Sequence, residues 1–142
     1  MIQIRPYAED DAAGVAVLVD QLGYEAMPWD VTRRVAGVMS SPSSAFLVAD
    51  DEGAVVGWVH VVGMDQVQQE PFAEIVGLVV SDGCRTGGVG GRLLEEAESW
   101  AGARGYATVR LRSNVVRADA HRFYRRRGYM VEKEQVVFAK DL

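Results

Sequence analysis

Four glycines, Gly87, Gly88, Gly90 and Gly91, stand between an apolar run and a set of apolar residues at helical spacing. The run is Ile75, Val76, Leu78, Val79 and Val80, ended by Ser81-Asp82-Gly83. The helical set is Leu93, Leu94, Ala97 and Trp100. Glycines at the mouth of a helix let the backbone approach a ligand closely. The first N–H groups of a helix have no intrahelical partner, and the helix dipole favours an anion there. This chemistry is phosphate binding. Two common phosphate loops do not fit. No Lys follows the glycines, as a P-loop requires, and Gly88-Val-Gly90-Gly-Arg-Leu93 fails the last position of Gly-x-Gly-x-x-Gly. The pattern present is Arg85-x-x-Gly88-x-Gly90. Glu74 opens the apolar run, where desolvation would raise a carboxylate's pKa and suit it to act as a base. A solvated carboxylate at a strand end is the alternative.

The elements that must position these residues follow from periodicity. A near-continuous apolar run predicts an interior strand. Ile2-Gln-Ile-Arg reads as a short strand, and Ala8 to Leu22 as a helix with Glu9, Asp10 and Asp11 in its first turn. Gly23 stops it. Tyr24 to Trp29 is expected to be a loop, with Asp30 as N-cap of a second helix through about Met39. Ala45–Asp50 and Ala54–Gly63 read as strands around the turn Asp51-Glu52-Gly53. After the glycine turn a helix runs to about Arg104, then a strand over 106–112 and a helix from about Arg117 to Arg127. Two closing strands are expected near Tyr129–Val131 and Gln135–Lys140.

The chain has 142 residues, 49% hydrophobic and 25% charged, which suits one domain over 1–142 with a real core. The net charge of -5 argues against sequence-independent nucleic-acid binding, which rests on neutralising phosphates. An acidic surface would attract a cationic substrate. One cysteine, Cys84, and two histidines leave neither a disulfide framework nor a metal site to expect. No stretch approaches a membrane span, and Met-Ile-Gln-Ile-Arg-Pro does not read as a secretory leader, so a cytoplasmic protein is expected.

Arg85-x-x-Gly88-x-Gly90 resembles the pyrophosphate-arm motif of the GNAT superfamily, the acetyl-CoA-dependent N-acetyltransferases. Asn114 followed by Ala120-His-Arg-Phe123-Tyr124-Arg-Arg-Arg-Gly128-Tyr129 is similar to that family's C-terminal signature, and Glu74-Ile before Leu78-x-Val80 to its central-strand pattern. The order of elements agrees over nearly the whole chain. The resemblance implies an α/β GNAT fold: a mixed, mostly antiparallel central sheet of six to seven strands with about four helices on both faces. It implies acetyl-CoA as co-substrate and no metal. Backbone N–H groups of Arg85, Thr86, Gly87, Gly88, Val89, Gly90 and Gly91 would cradle the pyrophosphate. Thr86 departs from the Gly that many members carry, but its amide can still donate.

The strand Leu78-Val79-Val80 would pair with the pantetheine arm through its backbone, with Asn114 bonding the arm from the next strand and Arg117 near the phosphates. Histone-type members use the Glu at the position of Glu74 as general base, and Tyr124 would protonate the leaving thiolate. His60 is an alternative base or a structural strand histidine. Tyr24 and Trp29 border the acceptor pocket or are ordinary surface. The expected reaction is acetyl transfer to the primary amine of a small molecule by direct attack in a ternary complex. The alternatives are a protein or peptide acetyltransferase and a non-catalytic acyl-CoA sensor. Members often dimerise through their last strands, for which Val136, Val137 and Phe138 are suited unless they are core.

Overall fold

A computed structural model of the chain describes residues 1–84 and 87–142. It divides into two compact units, Met1–Leu111 and Arg112–Leu142.

The first unit is a five-stranded sheet with helices on both faces. Its strands are β1 (Ile2–Pro6), β2 (Ser44–Asp51), β3 (Ala54–Met64), β4 (Phe72–Val80) and β5 (Val109–Leu111), in spatial order β1-β2-β3-β4-β5. The first four are mutually antiparallel, and β5 joins β4 in parallel. The β2–β3 turn is Glu52-Gly53, both at positive φ (51° and 98°), the backbone twist that a two-residue hairpin requires.

Side chains alternate along β3 and decide which helix goes where. Trp58 and Val48 share a buried cluster with Val15, Ala16 and Leu18 of α1 (Ala12–Gln21) and with Val31 and Val35 of α2 (Pro28–Met39). Gly57 faces the other way, onto Leu93 and Val89 of α3 (Val89–Ala103). Leu93, Leu94, Val59 and Val61 are fully buried. Each such side chain contributes about 1.5–3 kcal/mol by leaving water. Leu93→Ala would therefore cost about 2–5 kcal/mol. A polar tie closes the far edge. Arg5 on β1 reaches both carboxylate oxygens of Asp11 at 2.8 Å and Oδ2 of Asp50 on β2 at 3.0 Å.

The second unit holds one helix, α4 (Ala118–Arg126), ended by Gly128 at φ 92°. The expected strands at 129–131 and 135–140 do not form. Among the described residues the sheet has five strands, which corrects the six to seven expected. Met130, Val131, Val136, Val137 and Phe138 are exposed. Apolar alternation makes a strand only where a neighbouring edge satisfies its backbone groups. The strand expected over 106–112 shortens to β5 for the same reason, ending where its pairing with β4 ends.

Two helix starts also differ. α2 begins at Pro28, so Trp29 lies in its first turn and not in a loop. Proline's fixed φ suits the first helical position. Asp30 is the third residue of that turn, where its carboxylate accepts the Met27 N–H at 3.0 Å. The first helix opens with a single 3₁₀ turn, Glu9–Asp11, before α1.

Candidate active site

β4 keeps β3 beside it throughout but loses β5 halfway along. Ala73, Glu74 and Ile75 pair with Val109, Arg110 and Leu111 of β5. The ladder to β3 slips by one residue at the same place: His60 pairs with Gly77 and Val61 with Ile75, leaving Val76 as a bulge. A bulge reverses which alternate residues face each edge. Before it, the Ala73 N–H donates to Thr108 C=O on the β5 side at 3.0 Å. After it, the Ser81 N–H donates to Val56 C=O on the β3 side at 2.8 Å. Val79 and Ser81 therefore turn toward β3. Leu78 and Val80 turn their backbone groups toward the edge that β5 has left, and no described strand covers that edge beyond Ile75.

Gln21, the last residue of α1, closes one end of this open edge. Its Nε2 donates to Val80 C=O at 2.7 Å, and its Oε1 accepts the Asp82 N–H at 3.2 Å. The amide thus pairs with the strand end as a neighbouring peptide would.

The glycine turn follows. Asp82–Cys84 form a 3₁₀ turn, and Gly87 N–H donates to Cys84 C=O at 3.2 Å. Gly88 is the N-cap of α3 at φ 77°, a left-handed conformation that glycine adopts freely. As a glycine, Gly88 offers no side chain of its own to cap the helix start. Val89 and Gly91 are buried beneath it. Arg85 and Thr86 lie outside the described residues.

Glu74 is buried, only 7% exposed. Its β3 partner is Val62, which shares a face with His60 and Trp58. Arg110 is its register partner on β5, and the guanidinium lies 4.5 Å over the Phe72 ring and donates to Gln69 Oε1 at 2.6 Å. So the bulge places Glu74, Gly77, His60 and Trp58 on one face, the face covered by α1 and α2. There a cavity of about 140 Å³ is lined by Val15, Val19, Val31, Arg34, Val35, Val38, Phe46, Trp58 and His60. Among the described residues, Trp58 Nε1 and His60 Nε2 are buried without a hydrogen-bond partner. Burial holds the His60 pKa below the usual histidine value, so the ring is neutral at neutral pH.

In the second unit, Asn114 Oδ1 accepts the Val116 N–H at 3.1 Å, and Asn114 C=O accepts the Arg117 N–H at 3.0 Å. His121 Nε2 lies 3.0 Å from the same carbonyl. Arg117 occupies the N-cap of α4. Tyr124 packs edge-on against Phe123 and Tyr129. Its pKa is raised by burial and opposed by the charge of Arg117, so the phenol keeps its proton at neutral pH.

Of the residues marked in the sequence, Leu78, Val79, Val80, Gly87, Gly88, Val89, Gly90 and Gly91 fall along one strand–turn–helix, and Glu74 and His60 share a face. Tyr24 and Trp29 are exposed, 69% and 66%. Sequence reasoning passed over Gln21, Gly77 and the cavity wall of Trp58. Gln21 carries no local signal, since its partners lie 59 and 61 positions away. Gly77 interrupts a β-branched run, which is itself a sign of close approach.

A sheet that opens along one strand, leading into a glycine-opened helix, suits a ligand that lays an extended arm along the strand and a phosphate at the helix start. The chain is a member of the acetyltransferase (GNAT) family, whose model matches residues 10–129. An aminoalkylphosphonate N-acetyltransferase of Salmonella typhimurium is 30% identical over 129 residues, 89% of this chain and 84% of that protein. Among solved structures, a transcriptional regulator from Bacillus halodurans superposes with a TM-score of 0.88 at 23% identity, over 99% of this chain and 100% of that one. An aminoglycoside N-acetyltransferase in complex with CoA superposes with a TM-score of 0.85 at 17% identity, over 99% of this chain and 95% of that one. These two likenesses concern the fold. Among the described residues no helix is long and apolar enough to cross a membrane, and no group of three metal-ligating side chains occurs.

Proposed function

We propose that this acyltransferase carries an acetyl group from acetyl-CoA to the primary amine of a small molecule, acting as one cytoplasmic domain over 1–142. The open edge of β4 carries the reading. The exposed backbone of Leu78 and Val80 suits an amide-bearing arm laid alongside like an added strand, with the Val80 carbonyl shared with Gln21. The start of α3 behind Gly88 suits the pyrophosphate, with Arg85 and Thr86 assigned to the same cradle. Asn114 and Arg117 are assigned to the arm and the phosphates. The small-molecule acceptor is supported by the Salmonella relative, named for an aminoalkylphosphonate.

Acetyl-CoA supplies a thioester activated toward an amine. Glu74 takes the proton that the attacking amine loses, directly or through water. Tyr124, protonated at neutral pH, donates to the departing thiolate. Tyr24 and Trp29, exposed near the start of α2, border the path of the acceptor. Val136, Val137 and Phe138 are offered to a second copy of the chain.

The test is calorimetric and kinetic. The native protein should bind acetyl-CoA, and a Gly88→Val/Gly90→Val variant with native circular dichroism should not. Glu74→Gln should lower kcat by about 10²–10⁴-fold with little change in acetyl-CoA affinity. A native protein that binds acetyl-CoA yet releases no CoA with any of a broad amine panel would be a sensor, and the reading would fail.

A further inference from the structure

We infer that Gln21 is a positioning residue for the acetyl-CoA arm: its carboxamide ends the pairing length of β4 at Val80 and ties that point to α1. The inference rests on the acetyltransferase reading above and adds a residue to its donor site.

The carboxamide stands in for one peptide of a parallel strand. Such a peptide donates to the C=O of one residue on its neighbour and accepts the N–H of the residue two further on. Gln21 Nε2 donates to Val80 C=O at 2.7 Å, and Gln21 Oε1 accepts the Asp82 N–H at 3.2 Å. These partners fix its orientation, because the amide turned over would set oxygen against oxygen and N–H against N–H. The two bonds hold the peptides on both sides of Ser81, where β4 gives way to the 3₁₀ turn Asp82–Cys84.

The end of α1 is itself held in place. The N–H of Gly23, a residue at φ 92°, donates to Asp20 C=O at 2.9 Å, and the Tyr24 N–H donates to Val19 C=O at 3.4 Å. These are the two bonds of a Schellman motif, and Gln21 is the last helical residue inside it. Leu22 beside it packs against the core cluster of α1, α2 and the sheet. A side chain rooted there gives the end of β4 a fixed neighbour.

The result is a bounded window on the open edge. β5 pairs with β4 only as far as Ile75, and Gln21 engages the edge from Val80 C=O onward. After the bulge, the groups between these limits that turn to the edge are the N–H and C=O of Leu78 and the N–H of Val80. Leu78 and Val80 lie about 6.6 Å apart along the strand. An arm with two amides therefore sets one on Leu78 and the next on the Val80 N–H, and leaves the strand there for the start of α3. With the Val80–Ser81 peptide held by Gln21, that N–H keeps its direction toward the arm.

Coenzyme A and its one-amide fragment N-acetylcysteamine make the test, read from the backbone amide resonances of Leu78 and Val80. In the native protein coenzyme A should shift both, whereas the fragment should shift Leu78 and leave Val80 in place. Gln21→Met removes the hydrogen bonds, and Gln21→Asn, a methylene shorter, independently withdraws the amide from its two partners. Each should weaken coenzyme A by about 3–10-fold, the worth of the one hydrogen bond whose donor loses its direction, and leave the fragment's affinity within about twofold. Equal weakening of both ligands would make Gln21 a brace for the whole strand, and undiminished coenzyme A affinity would make its contact incidental. Either result overturns the assignment while the acetyltransferase reading stands. A native protein in which coenzyme A moves neither Leu78 nor Val80 would overturn that reading, and the assignment with it.

Discussion

Gly77 lies against the benzo ring of Trp58: a Cβ at Gly77 would stand 2.6 Å from Trp58 Cζ3 and 2.9 Å from Cη2. The indole cannot retreat freely, because Phe46 stacks on it with ring centroids 5.3 Å apart. The glycine thus fixes how closely the wall of the cavity approaches the open strand.

Gly77→Ala should destabilise the protein by about 1–3 kcal/mol, the cost of overpacking a filled site. Trp58→Phe should relieve most of that cost, because the smaller ring vacates the colliding atoms. Denaturant unfolding of both single variants and the double variant gives the coupling energy. Additive effects would mean that the alanine is accommodated elsewhere.

Gln21→Leu removes both hydrogen bonds to the end of β4. Each is worth about 0.5–1.5 kcal/mol, so unfolding should cost about 1–3 kcal/mol less. The larger consequence concerns acetyl-CoA. The 3₁₀ turn Asp82–Cys84 would lose its anchor to α1, and the dissociation constant measured by calorimetry should rise. Unchanged affinity in a folded variant would show that α3 alone holds the turn.

Asp11→Asn breaks the paired carboxylate that takes two guanidinium bonds from Arg5 and the Ala8 N–H at 2.8 Å. The pair is part-buried and Arg5 keeps Asp50 at 3.0 Å, so the loss is about 1.5–3 kcal/mol, the worth of hydrogen bonds to a charged group. The Asp11 pKa is held below the ordinary 3.8 by the Arg5 hydrogen bonds, against the opposing effect of burial. A depressed carboxylate stabilises fully above the unfolded value and loses that contribution as pH falls through the folded value. The stability gap between native protein and variant, followed by denaturant titration, should therefore be constant near neutrality and narrow below about pH 4.

His60 titrates in the opposite chemical sense with the same slope. Burial holds it neutral, so the unfolded chain binds the proton more readily. Its contribution is complete above the unfolded value of 6.5 and is lost as pH falls toward the folded value. Arg34 lines the same cavity from α2, Phe46 and Trp58 flank it on the sheet, and Glu74 lies on the same face of β4. Thermal unfolding should show a decline below pH 6.5 that is reduced in His60→Phe. An identical decline in both would assign it to other groups.

Much of the candidate site was legible because its signals are local. A β-branched run beside glycines marks a strand leading into a helix, and Gly88 meets a backbone demand at φ 77° that few other residues tolerate. The helix stop at Gly23 was legible for the same reason, and it has φ 92°. The closing strands were not, because Val136, Val137 and Phe138 share their pattern with strands while pairing depends on an available edge.

The sequence alone determined the order of elements through β5, the glycine turn and the family, since each rests on residue types within a few positions of one another. Tertiary structure alone decided where β4 loses its β5 partner. It brought Gln21 to Val80 and set Trp58 over Gly77. Those relationships join residues far apart in the chain, and only packing and register select them.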